Sequence, residues 1–94
     1  MRVDWKQPAR NDLLDLVLWI ARDNLSAATH MRQAVDAAVR TLATHPRLGR
    51  RARLTGTREL VVPRTPYVVV YSLGSDTVEV LRVLHGARRW PPAR

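Results

Sequence analysis

The chain has 94 residues, of which 16 are basic and 8 are acidic, so its formal net charge at pH 7 is +8. This length fits one domain, residues 1–94, with one modest core, and the absence of cysteine excludes disulfides, thiolate nucleophiles and cysteine-based metal sites. No apolar run reaches the roughly 18 residues of a membrane span, and the first ten residues carry no apolar secretion signal. We therefore expect a cytoplasmic protein without a membrane partner.

The first half of the chain predicts a short strand followed by two helices. Residues 2–5 alternate in character as a strand does. In residues 9–24 the apolar side chains recur at three- and four-residue steps, and the same period returns in residues 26–44, where Ser26 is a candidate N-cap. Pro46 predicts the end of the second helix near Thr44. Two helices joined by about two residues must run antiparallel, as a hairpin.

The second half predicts a small sheet, because the apolar period changes from 3.6 to 2 residues. Residues 45–57 predict a loop and residues 58–62 a strand, and "YVVVYSL" (67–73) is the strongest strand of the chain. The sequence "GSD" (74–76) predicts a tight turn into a return strand at 77–85. The expected fold class is α+β, with a short N-terminal strand and an antiparallel helical hairpin packed on a small antiparallel sheet of three to four strands.

The positive charge is concentrated in the second half of the chain. Residues 1–45 carry six basic and five acidic side chains, whereas residues 46–94 carry ten and three, a net charge of +1 against +7. A field of that sign favours nucleic acid or an acidic protein as partner, although an arginine-rich genome with a solvated surface would give the same count. Six of the arginines fall within eighteen positions: Arg47, Arg50, Arg51, Arg53, Arg58 and Arg64. Without interleaved aromatic residues for base stacking, they fit a phosphate backbone or the carboxylates of a partner.

The stretch "VLRVLHGARRWP" (80–91) joins the last strand to a histidine, two arginines and a tryptophan. His85 is a candidate general acid or base and Arg88 a candidate phosphate ligand. The alternative is that His85 only forms hydrogen bonds at the strand end and that the arginines are solvated. Trp90 either folds back on the sheet or is an exposed interface anchor, whereas Trp19, beside the apolar stripe of the first helix, is expected in the core.

Metal and nucleotide sites have no sequence signal. The three histidines lie far apart, without an HxxxH pair or accompanying carboxylates. No glycine-rich phosphate loop follows a strand. The sequence therefore predicts neither a metal nor a cofactor.

The order of these elements and four short motifs resemble the ParE/RelE superfamily of small bacterial toxins from type II toxin–antitoxin modules. The motifs are "HPRLGR" (45–50), "TREL" (57–60), "PYVVVY" (66–71) and "LHGAR" (84–88), and the resemblance spans nearly the whole chain. It implies a cytoplasmic toxin of the plasmid-stabilisation type, neutralised by a cognate acidic antitoxin. The candidate antitoxin-binding residues are Arg47, Arg50, Arg51 and Trp19.

The superfamily divides into two functional branches. RelE-like members are ribosome-dependent ribonucleases that cut mRNA, whereas ParE-like members poison DNA gyrase and trap it on broken DNA. A RelE-like site takes a basic pair from the strand after the arginine-rich loop, an arginine after the first tyrosine of the central strand, an arginine after the last strand, and often a C-terminal tyrosine. Arg58 and Arg88 match this pattern, but Leu60, Val68 and Arg94 stand at the other positions.

We therefore expect a ParE-like toxin that inhibits gyrase and is not an enzyme. Its candidate target-binding residues are Arg58, Arg64, Arg88, Arg89 and Trp90. The alternative is a RelE-like, ribosome-dependent mRNA endonuclease, for which the candidate catalytic residues are Arg58, His85 and Arg88. A third possibility is a degenerate member that folds and binds its antitoxin but is no longer toxic.

Overall fold

The computed structural model describes residues 1–86 of the chain. Its elements follow in the order β1 (Arg2–Trp5), α1 (Gln7–Ala21), α2 (Leu25–Thr44), β2 (Arg50–Arg51), β3 (Thr57–Val61), β4 (Tyr67–Leu73) and β5 (Thr77–His85). The predictions for Arg88, Arg89 and Trp90 concern residues outside the described range. Within it, neither helix is long and apolar enough to cross a membrane.

The strands of residues 1–86 form one mixed sheet in the order β1-β5-β4-β3-β2. The central strand β4 pairs antiparallel with β3 and with β5, and β1 lies parallel to β5, with Arg2 opposite Thr77. The predicted α+β fold with a helical hairpin on a small sheet is confirmed, but the sheet has five strands instead of three or four. The additional strand is β2, whose two arginines pair with Arg58 and Glu59 inside the segment predicted to be a loop.

Asn24 lies in the turn between the helices and forms hydrogen bonds with both of them. Its backbone N–H donates to the carbonyl of Ile20 (3.0 Å), which closes the end of α1. Its backbone is extended (φ −155°), and its side-chain oxygen accepts from the N–H of Ala27 (3.0 Å), which caps α2. The predicted cap at Ser26 was therefore wrong by two residues, whereas the predicted end of α2 near Thr44 is confirmed.

The core lies between α2 and the inward face of the sheet. The buried positions of α2 follow the predicted helical period: Ala28, Met31, Val35, Ala38, Val39 and Leu42. They pack with α1 against strand residues such as Val69, Val80 and Val83, which are at most 2% exposed. The alanines bring the α2 backbone close to the sheet, because a small side chain takes little space.

Helix α1 packs less deeply than α2, since only Ala9 is fully buried. The prediction that Trp19 lies in the core was wrong, because its side chain is 66% exposed. Trp19 precedes the half-buried Ile20, so it lies about 100° further around the helix and points away from the core. The guanidinium of Arg22 stacks over its ring, 5.2 Å from the centroid.

A carboxylate of α1 completes the edge of the sheet where β1 stops. Strand β1 pairs only with residues 77–80 of β5. Further along β5, the N–H of Val83 donates to a carboxylate oxygen of Asp12 (3.0 Å), and the guanidinium of Arg82 donates to both carboxylate oxygens (2.6 and 2.9 Å). This pairing raises the pKa of Arg82 above its ordinary value. Asp12 thus anchors α1 to the sheet edge through three hydrogen bonds.

Candidate functional site

The arginine-rich loop between α2 and β3 is fixed to the sheet by Tyr71. The Tyr71 hydroxyl donates to the carbonyl of Pro46 (2.7 Å) and accepts from the N–H of Gly49 (2.9 Å). The side chain is fully buried, and burial raises the pKa of the Tyr71 phenol. One side chain of β4 therefore satisfies two backbone groups of the loop, which holds residues 46–49 in a single position.

Gly49 is required by the closeness of this contact. A Cβ atom at position 49 would lie 2.7 Å from the Tyr71 ring and hydroxyl, and 2.8 Å from the carbonyl oxygen of Glu59. These distances are shorter than van der Waals contact, and one of the two neighbours is backbone. Gly49 of the motif "HPRLGR" is thus explained by packing between the loop and β4.

Arg58 supports the same loop from β3. It lies opposite Tyr71 in the sheet, and its Nη1 donates to the carbonyl of Gly49 (2.8 Å) and, at 3.5 Å, to that of Arg47. A guanidinium has five N–H donors, so further donors can serve a partner. In the structure, however, the contacts of Arg58 are those of a residue that positions the loop.

The loop presents a basic surface at the β2 edge of the sheet. The exposed arginines of this surface, called the basic edge below, are Arg47, Arg50, Arg51 and Arg53. Arg50 forms an exposed ion pair with Glu59 (3.2 Å). The structure therefore brings together the three arginines predicted to bind the antitoxin. Trp19 is separate from them, since α1 packs against β5, and β4 and β3 lie between β5 and β2.

A groove of about 730 Å³ runs between α2 and the turn that joins β3 to β4. One wall consists of small and apolar residues of α2, among them Ala27, Met31, Ala34 and Ala38. The opposite wall is formed by residues 63–67, which include an arginine and two prolines. Small residues at helical spacing allow a second helix to approach closely. The sequence pattern placed only Met31 and Ala38 of these residues on the buried face of α2, and it missed the groove.

Arg64, on the rim of this groove, has an unusual backbone conformation. Its φ is +63°, the only positive value of a non-glycine residue in the described part of the chain. The N–H of Thr65 donates to the carbonyl of Val62 (3.2 Å), which closes a turn with Pro63 and Arg64 at its centre. A positive φ at the third position is typical of a type II turn, where glycine or asparagine is preferred. Arginine therefore occupies a strained position beside a candidate binding groove, and such strain concentrates at functional sites.

His85 and Arg58 lie at opposite ends of the sheet. Arg58 is paired with Tyr71, whereas His85 is paired with Tyr67, and its ring meets the Tyr67 ring edge-on at 6.0 Å. Arg58 and His85 are offset by four residues along the strand direction, and they lie two strand spacings apart because β4 stands between β3 and β5. Their Cα atoms are therefore about 16 Å apart. The structure therefore does not bring these two candidate catalytic residues together. Within residues 1–86 there is also no group of three side chains that could hold a metal ion.

A family model and several known proteins are similar to this chain. The family model, "ParE toxin of type II toxin-antitoxin system, parDE", matches residues 3–90. The protein Y4kP of Sinorhizobium fredii is 36% identical over 90 residues, which are 96% of this chain and 93% of Y4kP. Toxin RelE1 of Caulobacter vibrioides is 32% identical over 80 residues, which are 83% of this chain and 85% of RelE1.

The fold is also found in a solved structure of the chromosomal ParDE TA system from P. aeruginosa. A chain of that structure superimposes with a TM-score of 0.82 at 20% identity, over 90% of this chain and 95% of the other. The resemblance expected from the four motifs is confirmed by the family model, which extends over nearly the whole sequence. The chain belongs to the ParE toxin family of type II toxin–antitoxin systems, within the ParE/RelE superfamily.

Proposed function

We propose that this toxin is ParE-like in its action: it binds DNA gyrase in the cytoplasm, blocks replication without cutting nucleic acid itself, and is neutralised by a cognate acidic antitoxin. The observation that carries the proposal is the strand register, which pairs Arg58 with Tyr71 and His85 with Tyr67 and so separates the Cα atoms of Arg58 and His85 by about 16 Å at ideal strand spacings. A ribonuclease site needs its cationic groups and its proton donor around one phosphate. Two groups at opposite ends of a sheet do not meet that requirement.

The two RelE-like positions that lack a cationic side chain support the same proposal. Leu60 packs against the core on the inward face of β3. Val68 is one residue from the core residue Val69 along β4, so it lies on the opposite face of the sheet. Apolar side chains at these positions cannot stabilise the charge of a phosphate in the transition state.

The antitoxin is proposed to bind two surfaces at once. The basic edge, with Arg47, Arg50 and Arg51, offers guanidiniums to the carboxylates of an acidic chain. The groove offers a narrow apolar floor suited to a helix, with Arg64 at its rim. Trp19 extends the candidate antitoxin contacts to α1. A partner that covers the basic edge would also screen much of the charge that draws the toxin to its target.

The proposed contacts with gyrase or its DNA are Arg58, Arg64, Arg88, Arg89 and Trp90. Of these, Arg64 is exposed in the described range, whereas the main observed contacts of Arg58 are with the loop. We therefore expect Arg58 to act on the target mainly by holding the basic edge in position.

A plasmid supercoiling assay tests the proposal. Purified chain, free of antitoxin, is incubated with gyrase, ATP and plasmid, and the products are scored for linear DNA after protease treatment. Dose-dependent linear DNA is the expected result, and Arg88→Ala or Trp90→Ala should reduce it. Arg40→Ala is the matched control, because Arg40 is an exposed arginine of α2 outside every surface named above. Intact supercoiling by a folded chain that kills cells would overturn the proposal.

Ribosome-dependent mRNA cleavage is the second candidate function, and the 32% identity with Toxin RelE1 of Caulobacter vibrioides favours it. In that case Arg58, His85 and Arg88 are the residues to substitute. The readout is the appearance of cut mRNA on ribosomes, mapped by primer extension. Cleavage that is lost in His85→Ala would identify the chain as an enzyme.

A further inference from the structure

Helix α1 presents an apolar stripe to solvent, on the side that faces away from the sheet. Leu14 and Leu18, one helical turn apart, are each 57% exposed. Leu25, which opens α2 directly after the turn, is 72% exposed. A shallow cleft of about 370 Å³ adjoins Leu14 between the two helices, and Leu13 and Val17 contribute to its wall.

The outward face of α2, unlike that of α1, has the polar composition of a surface exposed to water. The exposed positions of α2 are largely polar and include Thr29, Arg32, Gln33, Arg40 and Thr41. Both helices belong to one hairpin and both cover the same sheet, so their outward faces would be expected to have similar compositions. The exposed leucines of α1 are therefore a candidate surface for contact with another protein.

We propose that the apolar stripe of α1 binds a second copy of this chain, with the two α1 helices antiparallel across a two-fold axis near Leu18. The positions of two charged residues, Asp15 and Arg22, support this antiparallel arrangement. Asp15 and Arg22 are both exposed, and their spacing of seven residues places them on the same flank of the stripe. An antiparallel two-fold pairing brings Asp15 opposite Arg22 of the partner subunit, and Arg22 opposite Asp15 of the partner subunit.

The same axis also matches the apolar residues. Leu18 meets Leu18 of the partner subunit at the centre. Leu14 lies within one helical turn of Leu25 of the partner subunit, beside the shallow cleft. A surface that is complementary to itself in both its leucines and its charges fits an isologous dimer.

The distribution of charge favours a second copy over an acidic partner at this surface. Residues 1–45, which include both helices, have a net charge of only +1, so an acidic chain would gain little electrostatic attraction there. The basic edge lies at the far edge of the sheet from β5, against which α1 packs. Two copies joined along α1 therefore keep their basic edges apart and leave both grooves open. The dimer does not depend on which cellular target the toxin has.

Sedimentation equilibrium of the full chain, purified alone, tests the dimer over a wide range of concentrations. The expected result is a reversible monomer–dimer equilibrium. Leu18→Glu should raise the dissociation constant by about 100-fold, since the two-fold axis counts each substitution twice and each contributes about tenfold. Gln33→Glu, which adds the same charge to the polar face of α2, is the control and should have no effect. A chain that stays monomeric at every concentration would overturn the proposal.

A charge exchange distinguishes this dimer from any other use of the surface. Asp15→Arg alone, or Arg22→Asp alone, should weaken the dimer by about tenfold, because like charges then face each other. The double variant with both substitutions should return to within about threefold of the parent, because each opposite-charge pair is restored with its signs reversed. Circular dichroism confirms that each variant folds. A double variant that dimerises no better than the single ones would contradict the antiparallel arrangement.

Discussion

Two exposed surfaces of this toxin, the basic edge and the outward face of α1, are built in opposite ways. The basic edge consists of arginines on an irregular loop, and it keeps its shape because a buried tyrosine hydroxyl binds the loop backbone on both sides. The face of α1 consists of leucines on a regular helix that needs no such support. If the proposed partners bind there, the first surface would select them by charge over a distance and the second by shape at contact. One small domain thus carries two surfaces that suit different kinds of partner.

The substitution with the largest expected effect disrupts the packing of the arginine-rich loop against the sheet and leaves the face of α1 unchanged. Gly49→Ala places a methyl group against the Tyr71 ring and the Glu59 carbonyl, and we expect it to lower the free energy of unfolding by about 3 kcal/mol. Gly74→Ala is the matched control, because its nearest contact, the Thr77 carbonyl oxygen at 3.5 Å, is an ordinary one. Urea denaturation measures both. Equal stabilities of the two variants would contradict the proposed role of Gly49.

The next substitution loosens the attachment of α1 to the sheet. Asp12→Ala removes three hydrogen bonds that hold Val83 and Arg82, and we expect it to cost about 2 kcal/mol of stability. Asp23→Ala, at an exposed carboxylate just beyond the end of α1, should cost much less. Hydrogen exchange gives the sharper readout, since the Val83 amide should lose protection while the amides of Leu48 and Gly49 keep theirs. Loss of protection in both segments would mean that the two surfaces are not independent.

The smallest expected effect is that of a substitution at Arg64, which should raise the free energy of unfolding, whereas the other substitutions lower it. Arg64→Gly relieves the positive φ, and we expect it to stabilise the fold by about 0.5–1 kcal/mol after the entropy of the glycine is counted. Arg47→Gly removes an arginine where φ is not positive, so it should not stabilise. If Arg64 binds the antitoxin, the more stable variant should also bind it more weakly in a titration monitored by fluorescence. A variant that gains stability and keeps full affinity would show that the strain has no function in binding.

The sequence predicted most of the regular structure, because apolar period reports directly which face of an element is buried. The strands at 67–73 and 77–85 match β4 and β5, and α2 ends where Pro46 indicated. Strand β2 was missed, since two exposed arginines have no alternation to detect. The parallel pairing of β1 with β5 was also missed, because it joins segments more than 70 residues apart.

The candidate sites were less predictable than the fold. The contact of Tyr71 with Pro46 and Gly49 links positions 22–25 residues apart, and no local pattern announces it. Arginine-rich composition identified the basic edge but could not tell that Arg58 faces the loop. Conversely, the recurrence of leucine at positions 14 and 18 was visible in the sequence, and only the packing of α1 shows that this stripe faces outward.

The carboxylate of Asp12 has a consequence for how this protein behaves before it meets any partner. The second half of β5 runs past the end of β1, and an open strand edge of this kind is a template on which another chain can add a strand. Asp12 occupies one of its amides and places a charge beside it, which blocks such growth. A toxin acts only after its antitoxin has gone, so it must remain dispersed while it is alone. We therefore expect a single side chain on the first helix, Asp12, to help keep the unbound toxin from aggregating through this edge.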